Sequence, residues 1–172
     1  LQSRDHELVG ELYAPTISHP ASRVLYTEIA SKQYYDECFD ISNAFVKACL
    51  TDERVFLRLP ASWNNDKGSK GKVVRLLKSL YGLRIAPRRW FDTFTAYLKS
   101  RGWVFNEREP GLARHPKLNL IMPIYVDDAY IGGPIKKVID KEVKEILDHL
   151  GGKVVPGENL PDGTIKRDML GA

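Results

Sequence analysis

Two adjacent carboxylates, Asp127 and Asp128, follow Tyr125-Val126 and an apolar run (Leu120, Ile121, Met122, Ile124). They precede a second apolar run, Ala129, Tyr130 and Ile131, that ends at Gly132-Gly133. The pattern reads as strand, tight turn, strand, with both acids at the tip. Two carboxylates on a rigid turn cost free energy unless a cation sits against them. The simplest candidate is a hard divalent metal, which takes oxygen ligands. The same pair is also common turn chemistry, because Asp tolerates left-handed backbone and bonds its own main chain. A third acid, Asp40, closes a strand-like segment over 33–41, QYYDECFDI. If that strand neighbours the Asp127/Asp128 hairpin in one sheet, three carboxylates converge. Such a cluster suits two divalent ions roughly 3.5–4 Å apart, the clamp used for in-line phosphoryl transfer. One ion would activate an attacking hydroxyl and the other steady a leaving pyrophosphate. Mg²⁺ fits, since it shares octahedral oxygen coordination with substrate phosphates.

These acids need elements to hold them. A helix is expected from Ala21, capped by Ser18, with Val24, Leu25, Ile29 and Ala30 near one face. Ser42 to Leu50 returns to helical spacing through Ala44, Phe45, Ala48 and Cys49. Val55, Leu57 and Leu59 alternate in a short strand stopped by Pro60; after the polar loop 61–71, strand character resumes at Val73, Val74, Leu76 and Leu77, so a hairpin is expected. Pro87 opens a helix in which Trp90, Phe91, Phe94, Tyr97 and Leu98 recur at three- and four-residue steps, a stripe read as core, with Gly102 as its stop. Residues 111–133 read as a hairpin leading into the Asp-Asp turn. The last helix runs from about Ile135 to Leu150, with Lys136, Lys137, Lys141 and Lys144 as its solvated face. Gly151-Gly152 ends it, and a turn is expected at Pro161-Asp162-Gly163. Hairpins without alternating βαβ units favour an α+β fold.

The 172 residues are read as a single domain spanning 1–172, with 43% hydrophobic content, enough to bury a core. A net charge of +4 fits a polyanionic partner and fits a solvated basic surface equally well. Cys38 and Cys49 are too few for a disulfide framework, and apolar neighbours make both read as buried free thiols. No Cys/His spacing suits zinc. No apolar stretch approaches the roughly 18 residues needed to cross a bilayer. The polar start, LQSRDHELVG, lacks a Met and reads as the edge of an excised piece of a longer chain.

Three blocks occur in order: FDISNAFVKA, LLKSLYGLRIAPRRW and IYVDDAYIGG, with VFLRLPASW between the first two. They resemble the reverse transcriptase of copia-type LTR retrotransposons, whose blocks run close to MDVKSAFLNG, VYMxQPPGF, LKKSLYGLKQAPRAW and LVYVDD. The closing DGTIKRDMLGA is similar to a DFLG-like segment of that family, so the resemblance covers roughly residues 12–172. It implies an RNA-directed DNA polymerase palm, an antiparallel sheet packed on helices, with partial fingers and the thumb missing. Asp40, Asp127 and Asp128 would be the catalytic acids, binding two Mg²⁺ (or Mn²⁺) with the carbonyl of Ile41. Phe45 would sit beneath the incoming sugar and exclude a 2′-hydroxyl. Arg84 and Ile85 would face the nucleotide, Tyr81, Gly82, Leu83 and Pro87 the template base and nucleotide, and Tyr125 and Val126 the primer end.

The implied partners are an RNA or DNA template with primer, deoxynucleoside triphosphates, and flanking thumb, RNase H and integrase domains of a polyprotein; no membrane is implied. The parent would work inside the cell, in a cytoplasmic virus-like particle or the nucleus. Two positions depart from the family pattern. Ile85 stands where a hydrogen-bonding Gln is usual, and Pro123 interrupts the strand that leads into the acids. The alternatives are a degenerate or domesticated remnant that binds nucleic acid or a protein without catalysis, and an unrelated metal-dependent phosphohydrolase.

Overall fold

Ser18 caps the helix that covers one face of the sheet. Its hydroxyl oxygen accepts from the Ala21 N–H at 3.4 Å, Pro20 lies in the first turn, and α1 runs His19–Ser31. This computed structural model describes residues 12–50, 54–60, 72–161 and 165–166. After a turn through Gln33 at φ +53° comes β1, Tyr35–Asp40, then one 3₁₀ turn, Ala44–Lys47. The short strands β2 (Phe56–Arg58) and β3 (Val73–Arg75) pair with each other, as the alternation predicts. Helix α2 (Ala86–Ser100) leads to β4 (Val104–Phe105), β5 (Leu112–His115), β6 (Leu120–Tyr125) and β7 (Asp128–Gly133). Helix α3 (Lys136–Leu150), β8 (Lys153–Val155), β9 (Glu158–Asn159) and β10 (Ile165–Lys166) complete the order.

Six strands form one antiparallel sheet in the order β4-β5-β6-β7-β1-β8. Mixed helices on an antiparallel sheet are the expected α+β arrangement. Side-chain alternation assigns the two faces. Phe39, Met122, Ile124, Ala129 and Ile131 pack with Trp90, Phe94 and Leu98 of α2 and Ile139, Val143 and Ile146 of α3 in the main core. The opposite face, carrying Cys38, Ile121 and Tyr130, is covered by Leu25 and Ile29 of α1. Leucine and isoleucine anchors of this kind contribute about 1.5–3 kcal/mol each when fully buried. Because both faces are covered, β6 reads as a nearly continuous apolar run, LIMPIY, buried through Ile124.

Pro123 is accommodated inside this central strand. The β6–β7 register pairs Ile121 with Gly132 and Ile124 with Ala129, passing over the positions between, where proline has no N–H to give. The Ile124 N–H points the other way, to the Gly111 carbonyl at 2.7 Å.

Four expectations need correction. Ser42–Leu50 forms only the 3₁₀ turn, because Asn43 enters at φ +55° and the backbone of Ala48 and Leu50 bonds instead to Ser79 and Leu77. That extended course buries Ala48 and Leu50 and turns Cys49 outward, opposite Lys78, so Cys38 is buried and Cys49 is exposed. On α1 the buried stripe is Ser22, Leu25 and Ile29, while Val24 is 66% exposed and Ala30 also faces out. Ile135 caps α3 rather than opening it, and the helix's buried face holds Ile139, Val143, Ile146 and Leu150. Lys137, Lys141 and Lys144 are exposed as expected, whereas Lys136 is half-buried and reaches Glu37 of β1 at 2.8 Å. Lys136, Lys141 and Lys144 pair at i,i+4 with Asp140, Glu145 and Asp148. The loop 61–71, the sequence start and most of the closing segment, including Asp162-Gly163, lie outside the described residues.

Candidate metal centre

The antiparallel register sets Asp40 of β1 directly opposite Asp128 of β7. Opposed residues share a face, and like charges so placed repel. Asp127 precedes β7 in the turn, and its carbonyl accepts from the Ile41 N–H at 2.9 Å, tying the end of β1 to the hairpin tip. One carboxylate oxygen from each of Asp40, Asp127 and Asp128 lies within 4.8 Å of the others, and all three residues are half-buried. Burial pushes the Asp127 carboxyl above its usual range and nearby Asp40 adds to this, while Asp127's own N–H pulls it back in part. Burial likewise raises Asp128, followed by the charges of Asp127 and Asp40. Among the described residues no lysine or arginine forms an ion pair with any of the three. Converging oxygens with no paired lysine or arginine among the described residues are the donor set a hard divalent ion takes, so the residues fit Mg²⁺ or Mn²⁺.

The turn itself is strained. Val126 adopts φ +60°, a conformation that a β-branched residue seldom takes. It sits first in the two-residue loop between the paired Tyr125 and Asp128, where a hairpin with one positive φ ordinarily carries glycine. Trp90 holds it. The Trp90 indole N–H donates to the Val126 carbonyl at 2.7 Å from a ring that is 1% exposed and stacked on Phe94. The aromatic stripe read from the sequence as core therefore has one member with a second task. The signal was present, since a buried Trp needs an acceptor for its N–H, but spacing alone could not name it.

Phe45 lies on the 3₁₀ turn beyond Asp40, packs against the main core, and meets the Tyr81 ring with centroids 4.9 Å apart. Gly82 takes φ +89° with open space where a Cβ would stand, so backbone conformation and not crowding calls for glycine there. Arg84 is exposed in the same turn, and half-buried Ile85 caps α2, its carbonyl accepting from the Arg89 N–H at 3.1 Å. Tyr125 is 37% exposed at the end of β6. The three blocks are thus linked pairwise: Asp40 and Ile41 to the acidic turn, Phe45 to Tyr81, and Trp90 to Val126. Gly152, which the sequence suggested only as a helix stop, also serves the site. A Cβ there would lie 2.2 Å from the Asp40 carbonyl oxygen.

An antiparallel sheet that brings Asp40 of one strand to the Asp127/Asp128 turn offers a donor set suited to a hard divalent ion, and comparison with known proteins shows which family carries it. Residues 2–151 match the family described as reverse transcriptase (RNA-dependent DNA polymerase), and the chain belongs to that family. It is similar to the retrovirus-related Pol polyprotein from transposon TNT 1-94 of Nicotiana tabacum, 31% identical over 134 residues, 76% of this chain and 10% of that protein. The Pol polyprotein from transposon RE2 of Arabidopsis thaliana is 31% identical over 126 residues, 72% of this chain and 8% of its own length. The truncated Ty1-A Gag-Pol polyprotein of Saccharomyces cerevisiae is 26% identical over 166 residues, 91% of this chain and 12% of its own length. The region is a copia-type reverse transcriptase segment, and it spans about a tenth of the relatives it matches. No helix among the described residues is long and apolar enough to cross a membrane.

Proposed function

We propose that the chain forms the palm and part of the fingers of an RNA-directed DNA polymerase, adding deoxynucleotides to a primer 3′-hydroxyl on an RNA or DNA template. The observation that carries this reading is the meeting of Asp40, Asp127 and Asp128 oxygens within 4.8 Å at the ends of two interior strands, β1 and β7, in a chain of this family. Asp40, Asp127, Asp128 and the Ile41 carbonyl would hold two divalent ions, Asp128 lying nearer the primer end. When bound, the ions lower the pKa of the primer hydroxyl and neutralise charge on the departing pyrophosphate. The primer oxygen bonds to the α-phosphorus as the bond to the β-phosphate bridge breaks. Phe45, braced by Tyr81, presents its ring to the sugar and leaves no room for a 2′-hydroxyl. Tyr81, Gly82, Leu83 and Pro87 face the template base and nucleotide, Arg84 the phosphates, and Tyr125 and Val126 the primer terminus. Ile85 supplies packing where a hydrogen bond is usual in the family, which weakens nucleotide grip. Residues 1–172 act as one domain of a polyprotein whose thumb, RNase H and integrase segments share the work, within a cytoplasmic particle or the nucleus.

The test is primer extension on a homopolymer template with Mg²⁺ or Mn²⁺, using the chain alone and joined to its flanking segments. Extension that disappears in Asp40→Asn and Asp127→Asn supports the reading. Extension retained in either variant contradicts the assigned roles. Metal and template binding without extension in the joined protein selects a non-catalytic remnant instead.

A further inference from the structure

The positive charge of this chain is concentrated. Residues 49–79 hold seven lysines and arginines against three acids, a net +4 equal to that of the whole chain, so the remainder is neutral. The described part of this segment is a two-stranded ribbon standing apart from the main sheet. Its ladder extends beyond β2 and β3, because the Leu76 N–H donates to Val55 at 2.9 Å and the Leu59 N–H to Lys72 at 3.0 Å. The register sets Phe56 opposite Arg75 and Arg58 opposite Val73, so these four share a face. Arg54, two residues before Phe56, continues it. All five are exposed, Phe56 at 58% and Val73 at 57%. Among the described residues no carboxylate pairs with Arg54, Arg58 or Arg75.

Solubility explains the arginines but not an open phenyl ring between them. A protein-docking face explains the ring but is disfavoured by three guanidinium groups, with no carboxylate partner among the described residues, that would have to be desolvated. A single-stranded nucleic acid answers both, since phosphates take the guanidinium groups and an unpaired base stacks on the ring. A duplex hides its base faces and leaves the ring without a partner.

We propose that the arginine face of the β2–β3 ribbon binds single-stranded nucleic acid, with Arg54, Arg58 and Arg75 on phosphates and Phe56 stacked on a base. The root of the ribbon adjoins the candidate site. Cys49 bridges Lys78, and the Ser79 N–H donates to the Ala48 carbonyl at 2.9 Å, flanking the Phe45–Tyr81 contact. A strand held on the ribbon is thereby led along the Phe45–Tyr81 edge. No metal is needed for this binding.

The experiment is fluorescence polarisation of the full chain with a labelled oligo-dT of about 20 nucleotides in EDTA, across a salt series. The triple substitution Arg54→Gln, Arg58→Gln, Arg75→Gln should weaken binding at least tenfold and flatten the log–log salt slope by about 2, from roughly 0.7 per charge on single strands. Phe56→Ala should weaken binding about tenfold, and Phe56→Trp should restore it. A matching blunt duplex should bind less tightly and ignore Phe56→Ala. Unfolding midpoints near wild type would show that the fold survives these surface changes. Unchanged affinity and slope in the triple variant overturns the proposal, as does a preference for duplex. Self-association lost in Phe56→Ala with oligonucleotide affinity unchanged identifies a protein contact and overturns it too. Oligonucleotide affinity in EDTA reads the ribbon and primer extension with Mg²⁺ reads the acidic cluster, so a failure of one and a failure of the other are read separately.

Discussion

The indole of Trp90 donates its N–H to the Val126 carbonyl at 2.7 Å, joining a helix of the SLYGL block to the turn that carries Asp127 and Asp128. Val126 sits at φ +60°, a strained position for a β-branched residue, costing on the order of 1–3 kcal/mol. A turn held against its own preference needs an outside partner, and Trp90 is that partner. Trp90→Phe keeps most of the ring packing and removes the donor, leaving a carbonyl short of its bond. The expected cost is about 1–3 kcal/mol in urea unfolding, with weaker Mn²⁺ binding by calorimetry as the carboxylates drift. Full stability and unchanged Mn²⁺ affinity would show that the turn is held by something else.

Much of this was legible in the sequence, for reasons that differ by residue. The α2 stripe of Trp90, Phe94 and Leu98 was visible because helical spacing and burial coincide. Asp40 was visible because it closes a strand-like segment and the Asp127/Asp128 tip because it follows an apolar run, and their meeting required only that β1 and β7 be neighbours, which they are. Two features were hidden. The Ser42–Leu50 helix failed because backbone bonds to Leu77 and Ser79, far along the chain, outcompeted local spacing. Strand β8 was hidden because Lys153–Val155 is only three residues long and mostly exposed, and it owes its place to pairing with β1. Long-range pairing leaves little trace in a local pattern.

The acidic cluster gives stability an unusual pH dependence. Burial, then neighbouring carboxylates, hold Asp127 and Asp128 above the ordinary range. A raised carboxyl favours folding fully below its unfolded value, and that contribution is lost as pH rises through the folded value. In EDTA the local contribution should therefore fall just above the usual carboxylate range, toward neutrality. A divalent ion offsets this, by about 2.7 kcal/mol at a concentration 100 times its Kd. Thermal melts with and without Mn²⁺ at pH 4.5 and 7 should show a larger metal increment at pH 7. Asp127→Asn should raise the metal-free midpoint and abolish the increment. An increment of equal size at both pH values in wild type would rule out the cluster as the metal site.

Glu142 should respond with the opposite sign. It is 4% exposed on α3, accepts from Arg101 at 3.0 and 2.7 Å and from the Trp103 indole at 2.9 Å, and so ties α2, β4 and α3 together. Arg101 also pairs with Glu145. Burial alone would raise the Glu142 carboxyl, but the bonds from Arg101 and Trp103 outweigh it and leave it lowered. Its stabilisation is present above the ordinary carboxylate value and is lost as pH falls through the folded one. Glu142→Ala leaves Arg101 and the Trp103 N–H with unmet partners, at an expected cost of about 3–5 kcal/mol. Urea titration at pH 7 checks the size. A loss under about 1 kcal/mol would mean that water replaces the carboxylate.

The Asp40 end of β1 is held from two sides. Gly152 follows α3 and presses on β1, so that a Cβ there would stand 2.2 Å from the Asp40 carbonyl oxygen and 2.8 Å from Leu147 Cδ2. The leucine can swing aside, but the Asp40 backbone is fixed by its pairing with Asp128 and Lys153. Relief of the clash must shift either the helix end or the strand that positions the first acid. Gly152→Ala should therefore lower stability and weaken Mn²⁺ binding together. Gly82→Ala is the control. There a Cβ meets no atom within 4 Å, and only the φ of +89° is unfavourable, so a modest loss of roughly 1 kcal/mol is expected with Mn²⁺ affinity unchanged. If Gly152→Ala lowers stability while Mn²⁺ affinity stays at the wild-type value, the helix end yields and the carboxylate cluster does not depend on that contact.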